Sequence, residues 1–366
     1  MKIFYLSDAC FADCEINLLK ALGNDNEIIY AVVLHKNDSN YTVEELQIAF
    51  KDSRVVLRQI KLKYRLRDPR QIFTYYKLIK FILKNKADVV YVNNWGDLYL
   101  NFIASFFLKG RNTIIGIHDA IYHSGAKLAF IFNFSNKVFF RKFNTILTFS
   151  KSQAALLKSR YPKKSILTIP LALKDFGPKV KRAKDDGIIR FLFFGYILPY
   201  KGLDTLLKAT NQLSTKYKNF KLIIAGRCPE WEELYEPLVK NQNYIEKEIR
   251  FIENKEIPYF FSNANYLLLP YNDVTQSGPL MIAYNYDLPV IASDINGFKE
   301  FIQNSGTGYL FEVGDELSLY NLLEDAVLRN RAEYDILVQN IFELKSNDLS
   351  FDVTLRKYRE MFNMFT

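Results

Sequence analysis

The sequence predicts an α/β protein built as two doubly wound parallel-sheet domains facing one shared cleft. Three observations carry this expectation. Short apolar runs alternate with amphipathic stretches from one end of the chain to the other, the pattern of repeated β-α units. The alternation halts over a polar stretch at 179–187 and then restarts, which reads as a linker. A length of 366 residues also suits two domains of ~150 or more residues each.

In the first half, strands are expected at 2–6, 28–34, 55–58, 89–92, 113–117 and 145–149. In the second half they are expected at 189–194, 221–225, 249–252, 266–270 and 290–292, with helices at 203–210 and 280–286. Residues 353–362 are amphipathic and read as a closing helix.

Composition excludes several classes. At 49% hydrophobic and 24% charged, the chain is neither disordered nor collagen-like. No stretch supplies the ~20 uncharged apolar residues of a membrane-spanning helix, and the opening apolar run is too short for a secretion signal. Cys10, Cys14 and Cys228 make no disulfide framework and no paired zinc-ligand pattern. A cytoplasmic protein is expected. The net charge of +9 conceals a division: residues 51–200 carry 29 basic and 8 acidic side chains, the remainder 20 and 32. Such blocks suggest that one part of the molecule faces an anionic partner, whether phosphorylated ligand, lipid or nucleic acid.

Ligands of open parallel sheets sit beyond the carboxyl ends of the strands. In the first half those positions are Ser7 and Asp8, Asn93 with Asn94 and Trp95, His118 and Asp119, and Ser150. In the second they are Gly195 and Tyr196, Gly226 and Arg227, Glu253 and Asn254, and the run 271–278. Lys201, between Gly195 and a helix, would make an anion site with free backbone N–H groups. As a lysine at a loop–helix junction it is expected outside the core. Gln276, Ser277 and Gly278 put an amide, a hydroxyl and unpaired N–H donors before the next helix, where an ordinary N-cap is the plainer reading. His118 suits orientation of a hydroxyl or acid–base work as readily as a structural role, whereas His35 reads as a surface residue. The histidines assemble no metal cluster, and no Asp-x-Asp string exists to hold a divalent ion. No Gly-x-Ser-x-Gly elbow appears either. Basic and aromatic residues interleave at 65–86 and 127–143, as on surfaces that meet anionic bilayers or, equally, on ordinary core helices with solvated lysines.

Four strings then occur in order: Phe-Phe-Gly-x-Ile-x-Pro-Tyr-Lys-Gly-Leu, Leu-Ile-Ile-Ala-Gly, Leu-Pro-Tyr-x-x-x-Thr-Gln-Ser-Gly, and Leu-Pro-Val-Ile-Ala-Ser-x-x-x-Gly-Phe-x-Glu. Together they closely resemble the C-terminal half of the family 4 glycosyltransferases of the GT-B fold, in the branch with a Thr-Gln-Ser-Gly loop. The N-terminal half resembles them more loosely, through Met-Lys-Ile, Asp-Val-Val-Tyr-Val, Ile-His-Asp and Thr-Phe-Ser-Lys-Ser. The resemblance implies two Rossmann-like domains: 1–178 for the acceptor, 179–350 for a nucleoside diphosphate sugar, and 351–366 as a last helix crossing back to the first. It implies transfer of a hexosyl or N-acetylhexosaminyl group to a saccharide or lipid-linked acceptor in surface polysaccharide or glycoconjugate synthesis. Retention of configuration and independence from metals and cofactors follow from the same likeness.

Residue by residue, Lys201 and Gly195 match the donor-diphosphate loop, and His118 matches a histidine near the transferred sugar. Gln276, Ser277 and Gly278 match the loop that grips the distal phosphate and sugar, and Glu300 matches an acid after a glycine turn. Lys201 and His118 are thus the expected catalytic pair. Ser7, Asp8, Asn94, Trp95, Asp119 and Ser150 are expected on the acceptor side. Two departures stand out. Tyr196 and Leu198 occupy positions where many members place an arginine, for which Arg227 is the available substitute. Val274 and Ile282 replace a pair of glutamates that this branch lacks. A GT-B protein that binds a sugar nucleotide or an anionic membrane without turnover is the alternative from another class. Nucleic acid is not expected as a partner, because no recognised motif accompanies the charge.

Overall fold

The computed structural model describes residues 1–35, 41–64, 68–94, 97–118, 129–181, 186–302 and 306–365. The chain divides into two compact units, Met1–Ala172 with Phe351–Thr366, and Leu173–Ser350. The polar stretch at 179–187 belongs to the second unit, and its residues 182–185 lie outside the described set.

The first unit runs β1 (Lys2–Asp8), α1 (Ala12–Leu22), β2 (Glu27–Leu34), α2 (Val43–Phe50), β3 (Val56–Lys61), α3 (Gln71–Lys84), β4 (Val89–Asn94), α4 (Leu98–Phe107), β5 (Thr113–Ile117), α5 (Ala129–Lys142), β6 (Thr145–Thr148), α6 (Lys151–Arg160) and β7 (Ser165–Thr168). Its strands form one parallel sheet in the order β3-β2-β1-β4-β5-β6-β7. Successive side chains of a strand face opposite ways. Ile3 and Tyr5 of β1 therefore join one core layer while Phe4 and Leu6 join the other. Both faces are covered, so the strands read as continuous apolar runs rather than alternating ones.

The second unit runs β8 (Ile189–Phe194), α7 (Leu203–Lys216), β9 (Phe220–Ala225), α8 (Trp231–Leu234), β10 (Ile245–Glu248), α9 (Ile257–Asn263), β11 (Tyr266–Leu269), α10 (Gly278–Asn285), β12 (Val290–Ser293), α11 (Asn296–Lys299), β13 (Gly308–Phe311), α12 (Glu316–Leu328) and α13 (Arg331–Asn347). Its sheet is also parallel, in the order β10-β9-β8-β11-β12-β13. The last helix, α14 (Phe351–Asn363), packs in the first unit: Leu355, Tyr358, Met361 and Phe362 are buried there, and the rings of Tyr358 and Phe362 stand edge-on to Tyr91.

Three strand expectations change, all at sheet edges. The strand sought at 249–252 lies at Ile245–Glu248, where exposed Glu246, Lys247 and Glu248 follow one buried isoleucine. An edge strand can carry such charges because one side meets water. Two four-residue edge strands, β7 and β13, are additional. Glu253 and Asn254 consequently begin a helical turn rather than follow a strand. Among the described residues no helix is long and apolar enough to cross a membrane.

Candidate functional site

In the second unit the chain leaves β8 at Gly195, makes a 3-10 turn over Pro199–Lys201 and enters α7 through Gly202. Gly202 has φ of +63°, and a Cβ there would lie 1.9 Å from the Pro270 carbonyl oxygen, so only glycine fits. This tight turn folds Lys201 inward. The residue expected at solvent is buried, keeping 7% of its exposure. Its ammonium lies 5.3 Å from the centre of the Tyr271 ring and, among the described residues, makes no hydrogen bond or ion pair. Burial pulls its pKa down to about 8. Among the described residues the buried hydroxyls of Tyr271, beyond the carboxyl end of β11, and of Ser293, the last residue of β12, also lack hydrogen-bond partners. Three unsatisfied polar groups at neighbouring strand ends mark a polar ligand's place rather than a core.

The N-terminus of α10 meets the same point. A Cβ built on Gly195 would touch both the Lys201 Nζ at 3.3 Å and Pro279 Cγ at 3.7 Å. Ser277 is the N-cap, accepting from Leu280 N–H at 3.3 Å, so the plainer reading of that hydroxyl holds in this structure. Its neighbour Gly278 faces a second lysine: a Cβ on Gly278 would lie 3.3 Å from the Lys174 Nζ. Two ammonium groups therefore approach one helix N-terminus, where the backbone dipole already favours negative charge. Gly297 packs on the carbonyls of Val274 and Thr275, which brings the turn ending at Glu300 against the loop that carries Gln276. Arg227 is exposed, and its carbonyl accepts from Ile197 N–H at 2.9 Å, which places it at the margin of the Gly195 loop.

The first unit gathers a different set. His118, just past β5, is stacked between Phe11 and Phe149, with ring centres at 4.1 and 4.3 Å. Its Nε2 meets Asn93 Oδ1 at 3.0 Å, while Asn93 Nδ2 donates to Glu15 at 2.9 Å. Glu15 also accepts from Ser7 Oγ at 2.7 Å and from the hydroxyls of Tyr5 and Tyr30 at 3.0 Å. Burial pushes its carboxyl up to about 8, against the pull of these four donors. Ser7 is thereby committed to a buried network. Asp8 caps a helical turn by accepting from Cys10 N–H, and it pairs with His35, which is held in this contact rather than lying free on the surface. Ser150 caps α6 by accepting from Gln153 N–H. Asn94 ends β4, and Trp95, Asp119 and His123 lie outside the described residues. Among the described residues no trio of His, Cys, Asp or Glu is placed to hold a metal.

Residues 18–173 match the family described as Glycosyltransferase Family 4, and residues 189–328 match Glycosyl transferases group 1. The chain belongs to the family 4 glycosyltransferases. An uncharacterized glycosyltransferase of Haemophilus influenzae is 26% identical over 220 residues, 58% of this chain and 60% of that protein. The GDP-mannose:glycolipid 4-beta-D-mannosyltransferase of Xanthomonas campestris is 25% identical over 122 residues, 33% of this chain and 35% of that one. The capsular polysaccharide biosynthesis glycosyltransferase CapM of Staphylococcus aureus is 22% identical over 190 residues, covering 50% and 48%. The chain thus spans less than two thirds of the length of each of these relatives. The fold is shared across the whole chain with sucrose-phosphate synthase from Thermosynechococcus elongatus, at a TM-score of 0.76, 15% identity and coverage of 100% and 98%. Anabaena HepE, solved with UDP and glucose, gives 0.75 at 13% identity, with both chains covered fully.

Within this family 4 chain, Lys174, Ser293 and Glu15 escape the sequence reading as site residues, while Tyr271 opens the run 271–278 that it singled out. Glu15 leaves a signal: it shares the buried face of α1 with Ala12, Leu18, Leu19 and Leu22, and an acid on an apolar helix face is a buried acid. Lys174 leaves none, since its partner glycine is remote in sequence.

Proposed function

We propose that this glycosyltransferase moves a hexosyl or N-acetylhexosaminyl group from a nucleoside diphosphate donor to a saccharide or lipid-linked saccharide, in surface polysaccharide or glycoconjugate synthesis. The observation that carries the reading is the buried Lys201 ammonium, without an ion-pair or hydrogen-bond partner among the described residues, beside Gly195 and the N-terminus of α10. A buried cation without a counter-charge is costly, and a bound dianion removes that cost. The Xanthomonas relative's glycolipid acceptor, the capsular role of CapM and the UDP held by HepE favour the same substrate classes.

In this mechanism the C–O bond to the anomeric carbon breaks and negative charge grows on the leaving diphosphate. Lys201 meets that charge, aided by the α10 N–H groups around Ser277 and Gly278, in a position already shielded from water. Lys174 supplies the second cation that Tyr196 and Leu198 do not. Gln276 and Glu300 contact the sugar, and His118, held by Asn93 and two aromatic rings, orients a hydroxyl. The acceptor oxygen forms the new bond to the anomeric carbon on the face the diphosphate leaves, and a phosphate oxygen takes the acceptor's proton; this retention of configuration is what the family resemblance implies. The reaction needs no metal, because the lysines neutralise the diphosphate; full turnover in EDTA is expected, and an absolute Mg²⁺ or Mn²⁺ requirement would refute that part.

Thermal shift against UDP, GDP and ADP, followed by turnover over a panel of nucleotide sugars, tests the whole. At least one nucleoside diphosphate should raise the melting temperature by mass action. Stabilisation by none of them, together with no turnover, would end the proposal.

A further inference from the structure

Helix α4 is inside out. Its two polar side chains point inward: Asn101 is 2% exposed and donates to Asn136 Oδ1 at 3.3 Å, and Ser105 is 9% exposed and donates to the Asn101 carbonyl at 2.7 Å. Its phenylalanines point outward, with Phe102 54%, Phe106 65% and Phe107 45% exposed. An ordinary surface helix turns a polar face to water, and one apolar all round is either enclosed or faces an apolar medium. This helix carries no charge at all, yet its outer face is open.

The ridge continues on both sides. On α3 the exposed stripe is Phe73, Lys77, Lys80 and Lys84, and Tyr76 packs edge-on against Phe107 at 5.6 Å while Lys80 sits over the Tyr76 ring. On α5, Phe134 is 61% exposed. A contiguous aromatic surface of this kind on a folded chain marks an interaction site. The charge around it has one sign. Residues 56–84 hold nine lysines and arginines and a single acid, Asp68, which Arg70 already binds at 2.6 Å. From 98 to 150 the only acid in the sequence is Asp119.

We infer that the α3–α4 face of the first unit is a docking surface for an anionic lipid bilayer, with Phe102 and Phe106 entering the headgroup boundary and Lys77, Lys80 and Lys84 resting on the lipid phosphates. A second copy of the chain would bring the same cations against themselves. A nucleic acid would match the charge but leave the phenylalanines in water. Only an interface that is apolar inside and anionic at its rim satisfies both. The inference deepens the expectation of anionic-surface contact by placing the contact on α4, which lies between the two basic stretches singled out in the sequence. It stands independently of the proposed reaction.

The test is co-sedimentation of the whole chain with vesicles of phosphatidylcholine alone or with one-third phosphatidylglycerol. Binding to the anionic vesicles and not the neutral ones is expected. Phe102→Ser/Phe106→Ser and Lys77→Glu/Lys80→Glu/Lys84→Glu should each lower it by roughly tenfold or more, with melting temperatures near that of the wild type. Phe102→Trp should shift its emission to the blue on the anionic vesicles and be quenched by brominated lipid. Absence of binding, equal binding of either multiple variant, or adsorption without a tryptophan shift would overturn the inference. So would a wild-type dimer that the phenylalanine variant dissociates, or charge-dependent binding to duplex DNA but not to vesicles.

Discussion

The ammonium of Lys201 lies 5.3 Å above the Tyr271 ring centre, with its residue 93% buried and no carboxylate paired to it among the described residues. A ring face attracts a cation, but far less than an anion does. The arrangement therefore holds a positive charge at a cost to folding, in a place where bound phosphate would offset that cost.

Replacing Lys201 should separate stability from function. Lys201→Ala should lower kcat by a factor on the order of 10²–10³, as when one oxyanion-hole donor is removed. Lys201→Met should lose donor turnover as well, yet melt higher than the wild type at pH 7. A fall in pKa from 10.5 to about 8 corresponds to a burial cost on the order of 3 kcal/mol, or roughly 6–12 °C for a unit of this size. Calorimetry and steady-state turnover on the two variants decide it. Full turnover in stable Lys201→Met would move the chemistry elsewhere.

The same depressed pKa sets the pH dependence of binding. Below about 8 the lysine of the unliganded protein is protonated and ready for a diphosphate. Above that value it is neutral, so nucleoside diphosphate affinity should fall as pH rises from 8 toward 10. Stability of the unliganded protein moves oppositely. The unfolded chain binds the extra proton between about 8 and 10.5, so this residue's burial cost shrinks across that window as pH rises. Isothermal titration at a series of pH values reads the first effect, and a flat affinity profile would contradict it.

Lys174 should behave as a phosphate contact. Its nitrogen would lie 3.3 Å from a Cβ on Gly278, and a charge-assisted hydrogen bond contributes roughly 1.5–3 kcal/mol, less at a half-buried position. Lys174→Ala should weaken nucleoside diphosphate binding about fivefold to twentyfold and leave the affinity for the bare nucleoside unchanged. Equal losses for both ligands would show a general distortion of the site instead.

Glu15 contributes in the other direction. Its carboxyl is pushed up to about 8 in the folded chain against 4.5 ordinarily. The folded state therefore binds more protons between those values, and the residue's contribution to stability declines as pH rises from about 4.5 to 8. Glu15→Gln should remove that component of the slope in urea titrations. Glu15→Ala should cost about 2–4 kcal/mol, since it leaves the donors from Tyr5, Ser7, Tyr30 and Asn93 buried and unmatched. A Gln variant with the wild-type pH slope would show that Glu15 is ionised throughout.

Gly202→Ala should be among the most damaging single changes. It combines a φ of +63° with a Cβ 1.9 Å from the Pro270 oxygen, so the turn must move or the helix must start elsewhere. A loss of about 3 kcal/mol or more in chemical denaturation is expected, with the diphosphate response lost alongside it.

Much of this was legible in the chain alone. Interior strands of a doubly covered parallel sheet must be apolar throughout, so β5 at Thr113–Ile117 and β8 at Ile189–Phe194 announce themselves to the residue. The turn from Gly195 to Lys201 and the helix start at Ser277 and Gly278 were legible because a turn and a helix start impose local residue types at fixed spacing. Edge strands were not: β10 hides behind Glu246, Lys247 and Glu248, because a strand with one side in water has no need of apolar residues there. What only the tertiary structure decided was environment. Burial of Lys201 depends on how Gly202 seats against Pro270, the approach of Lys174 depends on where a remote segment crosses α10, and the outward phenylalanines of α4 depend on which face the sheet claims. Local sequence constrains backbone geometry, where the interactions span a few residues. Solvent exposure and charge environment are sums over neighbours distant in the chain, and those sums exist only once it is folded.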